Sequence, residues 1–263
     1  MRQVQDYLPR LDLLWRKQEN FSLTPHLAAL FRVGSHSHGT YIPPVDPTGI
    51  DDVDFMAIVI PPRERILGLR QFDHGTMKVE EIDCVVYSWN KYIRLLMKSN
   101  PNVIGTLYLR PEDMYLSDAE PMRSLIAQRD VFISKQVYHS FMGYAKGQLY
   151  KMTHNAHQGY MGAKRKALVE QFGYDTKNAA HLIRLMRMAI EFLNTNVCIV
   201  YRYDAERLKA IKRGEWTLEQ VHQEANQLIK AAEDSFKHST LQERPPEHLV
   251  EQILLYGYKC RGL

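Results

Sequence analysis

Apolar positions recur at helical spacing over residues 2–20, where Val4, Tyr7, Leu8, Leu11, Leu14 and Trp15 share one face. Thr24-Pro25 restarts the chain, with Thr24 placed to cap and Pro25 at a first helical position. An apolar run, Leu30-Phe31-Arg32-Val33, then stops at Gly34-Ser35. A second run, Phe55 to Ile60, follows Asp52-Val53-Asp54, and both runs predict strands. Pro61-Pro62 ends the second, and Arg63 to Leu69 predicts a short helix. A further strand is predicted over 77–87, entered by a turn at Gly75. A helix from Asn90 to Lys98 stops at Asn100-Pro101, and residues 103–109 are apolar enough for a short buried segment.

From Ser134 onward the pattern is helical. Val137, Phe141, Tyr144, Ala145 and Leu149 line one face of a first helix, with Lys135, Lys146 and Lys151 elsewhere. Thr153 to Gly162 reads as a loop. Asp175 or Thr176 caps a helix to about Asn194, Thr217 caps another with Glu219-Gln220 in its first turn, and Pro245-Pro246 opens the last. The order predicts an α+β chain: a small mixed β-sheet flanked by helices in residues 1–120, then a helical domain in residues 121–263.

Composition changes this picture little. The 263 residues are 45% hydrophobic and 24% charged, as in an ordinary soluble globular protein. No run approaches the length of a membrane-spanning helix, and the N-terminus lacks a secretory apolar core. Cys84, Cys198 and Cys260 are few, odd in number and far apart, which suits a reducing, cytoplasmic setting. Charge is more telling. Residues 1–120 carry 13 Lys/Arg against 16 Asp/Glu, and residues 121–263 carry 21 against 14. A carboxylate-rich half joined to a basic half suits a protein with metal on one wall and polyphosphate on the other, although uneven surface charge alone gives the same count.

The candidate chemistry sits between Gly34 and Asp54. Strand alternation puts Asp52 and Asp54 on one face, with Cα atoms roughly 6.5 Å apart. Two such carboxylates are costly to keep ionised without a cation between them, and Mg2+ takes carboxylates together with water and phosphate oxygens. Gly34 lets the backbone approach a phosphate, and Ser35 offers a hydroxyl and an N–H at a helix start. His36 and His38 lie in the same turn and read as loop histidines that bond locally. His154 and His157 form an H-x-x-H pair with no further ligand nearby, a poor zinc site. In the helix from residue 176, Lys177, His181, Arg184, Arg187 and Glu191 fall within about one third of the circumference, opposite a core face. That stripe is either a solvated face or a contact for a triphosphate or nucleic-acid backbone. Lys164-Arg165-Lys166 just ahead of it favours contact.

Gly34-Ser35, a spacer and Asp52-x-Asp54 resemble the active-site signature of the DNA polymerase beta superfamily of nucleotidyltransferases. Leu95 to Asn102, Gly143 to Leu149 and Tyr174 to Leu185 are similar to one branch, the predicted nucleotidyltransferases associated with RNA-repair ligases of bacteria and phages. The similarity spans roughly residues 25 to 235. A Pro-rich piece, Ile42 to Gly49, is extra to the pattern and is expected to loop over the cleft.

The resemblance implies a small mixed-sheet nucleotidyltransferase core. It implies a third carboxylate on a neighbouring strand, Asp83, with Glu81 as second choice on the same face. Asp52, Asp54 and Asp83 would hold two Mg2+ ions and carry the chemistry. Gly34, Ser35, Lys177, His181 and Arg184 would bind the nucleoside triphosphate. An RNA 3′ end is the acceptor it implies, with a protein or small-molecule hydroxyl as the alternative. A noncatalytic nucleotide- or RNA-binding module is the other reading, and three maintained aspartates argue against it.

Overall fold

The computed structural model describes residues 3–19, 21–43, 51–79, 82–116, 120–154 and 163–263. Among the described residues there are five strands: β1 (Leu27–Val33), β2 (Val53–Val59), β3 (His74–Val79), β4 (Ile82–Ser88) and β5 (Met114–Leu116). They form one mixed sheet in the order β3-β4-β2-β1-β5, in which β2 and β4 run parallel and the other pairs antiparallel. The first four helices are α1 (Leu8–Glu19), the four-residue α2 (Gly34–Ser37), α3 (Arg63–Leu67) and α4 (Trp89–Met97). Beyond the sheet come α5 (Glu120–Ala127), α6 (Gln136–His154), α7 (Ala163–Phe172), α8 (Thr176–Thr195), α9 (Ala205–Lys212), α10 (Leu218–His238) and α11 (Glu247–Lys259). The fold is α+β, as the hydrophobic pattern predicts.

The predicted strand over 77–87 is in fact a hairpin, with Val79 opposite Ile82. The apolar alternation of Met77 and Val79 changes phase at Glu80-Glu81 before Ile82, Cys84 and Val86, and no Gly, Pro or Asn marks the reversal. Glu81 lies outside the described residues, as does the Pro-rich insert from Pro44. The helix predicted over 2–20 is α1 preceded by a 3-10 turn from Val4 to Tyr7, and the buried segment near 103–109 is a 3-10 helix, Ile104–Tyr108. α6 continues to His154, past the start of the loop expected from Thr153. Residues 155–162, with His157, lie outside the described residues.

Period-2 alternation sends the two faces of the sheet into different cores. Phe55, Ala57, Val59, Cys84 and Val86 pack with Leu11 and Trp15 of α1. Met56 and Ile58, with Phe31 of β1, join the core that runs on through α4, α6, α8 and α10. Each large side chain buried there contributes about 1.5–3 kcal/mol. Asp54 and Asp83 share the parity of Met56, Val85 and Tyr87, so they face the helical half. That half is organised on α8, which packs against α6, α9 and α10. Asp175 caps α8 by accepting from Asn178 N, and Thr217 caps α10 in a reciprocal box with Gln220, both as expected.

Candidate active site

β1 ends at Gly34, whose φ of +66° lies in the region that L side chains avoid. The turn also leaves no room: a Cβ on Gly34 would stand 2.1 Å from Asp54 Oδ2. The backbone is therefore laid directly over the aspartate of β2, which only glycine permits. Ser35 follows with its Oγ buried and without a hydrogen-bond partner among the described residues. The turn is held from both sides. Ser37 Oγ donates to Gly34 O (3.0 Å) and Thr40 N to Ser35 O (2.9 Å). His38 Nδ1 donates to Val200 O (3.0 Å), and Arg202 N donates to His38 O (3.2 Å). His36 stacks on Tyr41 with ring centroids 3.7 Å apart, and burial holds its pKa down to about 4. Neither turn histidine bonds locally as expected: His36 stacks while its Nδ1 has no hydrogen-bond partner among the described residues, and His38 bonds to Val200, 162 positions away.

The carboxylates come together through strand register. Asp54 is the pairing partner of Asp83 across the parallel β2–β4 contact, which sets their backbones about 4.8 Å apart. Burial pushes the Asp54 carboxyl up to about 6; Lys177 opposes the shift, while Asp83, Asp52 and Asp51 add to it. Asp83 is met across the hairpin by Lys78, at 3.0 Å. Asp52 stands one step before β2 and does not line the cavity that Asp54 and Asp83 share. Among the described residues, no three Asp, Glu, His or Cys side chains converge closely enough to hold a metal ion. The donor set still fits Mg2+. It is all carboxylate oxygen, burial and then the neighbouring aspartates push the Asp54 carboxyl up so that a cation would be favoured beside it, and Asp83 would need only to release Lys78.

Facing the carboxylates is a basic wall on the helical half. It is organised by Asp51, which is only 2% exposed and whose importance the sequence did not signal. Its two oxygens take Lys212 Nζ at 2.9 Å and Lys177 Nζ at 3.2 Å, and Oδ2 also accepts from Ile42 N (2.9 Å). Lys212, the last residue of α9, donates further to Thr40 O at 2.8 Å. Burial raises the carboxyl of Asp51, but Lys212 and Lys177 more than offset that, and it stays below its ordinary pKa. The bond between Ile42 and Asp51 ties the first residue of the Pro-rich insert to the chain just ahead of β2.

The stripe on α8 is sorted by what meets it. Lys177, His181 and Arg184 line a cavity of about 650 Å3 together with Gly34, Ser35, Asp54, Asp83 and Lys212. His181 lies against the Tyr144 ring, with centroids 5.4 Å apart. Arg184 is buried in the cavity floor, and burial together with Arg202 lowers its pKa to about 10. Arg187 does not belong to the site. It pairs with Asp204 and with Glu224 (2.5 Å), while Glu191 takes Arg202. This corrects the expectation that Arg187 faces phosphate. Of the basic run ahead of α8, Lys166 is exposed on α7.

No curated protein matches the chain. Among solved structures it is similar to a nucleotidyltransferase-like protein from Exiguobacterium sibiricum 255-15. The two are 13% identical, with 95% of this chain and 78% of that one covered. At a TM-score of 0.29 that likeness carries no argument about the site. The family comparison is decisive instead. Residues 18–252 match RlaP, the RNA repair pathway DNA polymerase beta family, so the chain belongs to that family of polymerase-beta-type nucleotidyltransferases.

Proposed function

We propose that this protein moves a nucleoside monophosphate from a nucleoside triphosphate to the hydroxyl of an RNA 3′ end, releasing pyrophosphate. The observation that carries the reading is the Gly34 turn laid over Asp54 with Asp83 in register beside it. A phosphate-binding backbone and paired carboxylates thereby share one cavity. Gly34 N–H and the Ser35 hydroxyl, which has no partner among the described residues, take the β- and γ-phosphates, and Lys177, His181 and Arg184 face them from α8. Asp52, Asp54 and Asp83 would hold two Mg2+ ions, which supply charge neutralisation at the attacking and leaving oxygens when bound. The acceptor oxygen bonds to the α-phosphorus, the bond to the bridging oxygen breaks, and pyrophosphate leaves with the electron pair. Asp83 takes the acceptor proton on its carboxylate.

The RNA acceptor is supported by the family's place in an RNA repair pathway and by the basic second half. Each labelled triphosphate, incubated with Mg2+, the protein and a cell RNA fraction, tests it. Label is expected in RNA 3′ ends. Label in protein or in a small molecule would move the acceptor to that class, and binding of triphosphate with no transfer at all would favour a noncatalytic module. Asp83→Asn should lower turnover by orders of magnitude at similar triphosphate affinity, because its role is in the chemical step.

A further inference from the structure

The cavity does not end at the carboxylates. Three cross-strand rows of the β3–β4 hairpin follow one another: Lys78 with Asp83, Thr76 with Val85, and His74 with Tyr87. Lys78, Asp83, Thr76, Val85 and Tyr87 all line the cavity. Alternation along β4 sets Val85 roughly 6.5 Å and Tyr87 roughly 13 Å beyond Asp83 on the same face. Tyr87 is half-buried, and the His74 ring lies beside it with centroids 6.1 Å apart. β3 is an edge strand, and its Thr76 and Lys78 are exposed while lining the cavity, so this end opens to solvent.

Register fixes which way this shelf runs. β1 is antiparallel to β2 and Val33 pairs with Asp54, so the chain leaves the sheet at Gly34 past the head of β2. Val85 and Tyr87 pair with Met56 and Ile58, on the opposite side of the Asp54–Asp83 row. With pyrophosphate at the Gly34-Ser35 turn and the α-phosphorus at the carboxylates, an in-line displacement brings the attacking hydroxyl from the side away from the turn. A hydroxyl that reaches Asp83 from there has the rest of its molecule over Thr76, Val85 and Tyr87. An aromatic ring next to an aliphatic side chain, with one hydroxyl at the rim, is chemistry that takes an unpaired base. The ring stacks on the face of the base, and the hydroxyl meets its edge. The open end at the edge strand leaves room for the strand that follows.

Resting on the nucleotidyltransferase reading of this site, we propose that the β3–β4 shelf is the acceptor subsite. It takes the terminal nucleoside of a single-stranded RNA 3′ end, with the base stacked on Tyr87 and its edge met by Thr76.

Fluorescence anisotropy with the full chain in Mg2+ buffer tests it. The probes are a short 5′-labelled oligoribonucleotide and the same strand with an abasic residue at its 3′ end. The wild type should bind the intact strand at least about fivefold more tightly, the low end of what one stacked base contributes. Tyr87→Leu, which keeps bulk and removes the ring, should bind both strands alike, and Tyr87→Phe should keep the preference. Thr76→Val, at an exposed position, should weaken the intact strand by about two- to tenfold, the worth of one hydrogen bond, and leave the abasic strand unchanged. A wild type that binds both strands alike would overturn the subsite, as would a folded Tyr87→Leu variant that keeps the preference. Thermal shift with a mixture of the four ribonucleoside triphosphates separates the remaining cases. If Tyr87→Leu loses triphosphate binding, the shelf holds the incoming nucleoside and the acceptor assignment falls. A wild type that binds triphosphates without any base preference sinks the subsite alone, and one that binds no triphosphate sinks the nucleotidyltransferase reading and this proposal with it.

Discussion

The two walls of the cavity are built differently. On the carboxylate wall, β1, the Gly34 turn and β2 lie within one short stretch of chain, and the close approach of Gly34 to Asp54 follows from adjacent strands pairing in register. On the basic wall nothing is local. Asp51 meets Lys177 and Lys212 from two different helices, and Arg187 and Arg184, one helical turn apart on α8, have opposite fates. Residues that share a helical face do not therefore share a role. What decides is the counter-ion each finds across the interface.

The largest effect belongs to the carboxylate wall. Asp54→Asn should abolish transfer, a loss of several orders of magnitude in kcat, while the ligand-free protein becomes more stable. The sign follows from the raised pKa. The folded carboxyl, at about 6 against an ordinary 3.8, binds its proton more tightly than the unfolded one. It therefore costs stability above about pH 6 and nothing well below pH 4. The gain from Asn should reach about 2–3 kcal/mol at pH 7 and fade as pH drops through that window. Urea denaturation at pH 7 and at pH 3.5 in chelator checks it; an equal gain at both would place the effect outside the titration.

Arg187→Ala breaks the comparison on the other wall. It leaves Asp204 and Glu224 without one of their partners in a nearly buried network and should cost about 3–5 kcal/mol of stability. Triphosphate affinity at a temperature where the variant is folded should not change. A selective loss of affinity would return Arg187 to the site.

Gly34→Ala should destabilise by about 1–2 kcal/mol from the backbone conformation alone. It should also lower transfer at least tenfold, because the added methyl must displace Asp54 or the turn. Retained activity would mean that the turn can retreat without consequence. The smallest effect is on the periphery. Replacing Lys164, Arg165 and Lys166 together with Ala should leave stability unchanged and flatten the salt dependence of RNA binding. The expected change is roughly 0.7 in the log–log slope for each lost phosphate contact. An unchanged slope would take RNA off α7 and favour a small or protein acceptor.

Much of this was legible before any fold was known. The Gly-Ser turn after an apolar run and Asp52 and Asp54 at the head of the next are period-2 patterns with breakers, while Asp83 as the third carboxylate came from the family resemblance. Strand pairing turns such patterns into geometry with few alternatives. The caps at Asp175 and Thr217 were equally readable, because an N-cap is satisfied within three residues. The hairpin between β3 and β4 was not, since neither Gly, Pro nor Asn marks the reversal.

By itself, then, the sequence determined the α+β order, the carboxylate strands, the special glycine and the basic stripe, all interactions of short range or strict period. Only the tertiary structure decided that Asp51 is the hub of the basic wall, that Lys212 reaches it from α9, that Arg187 is structural and that Arg184 lies buried in the cavity. Those outcomes depend on partners up to 161 residues away. A helical period names the face a charge occupies, but the energy of that charge is set by burial and by the counter-ion brought to it, and neither is written in the local pattern.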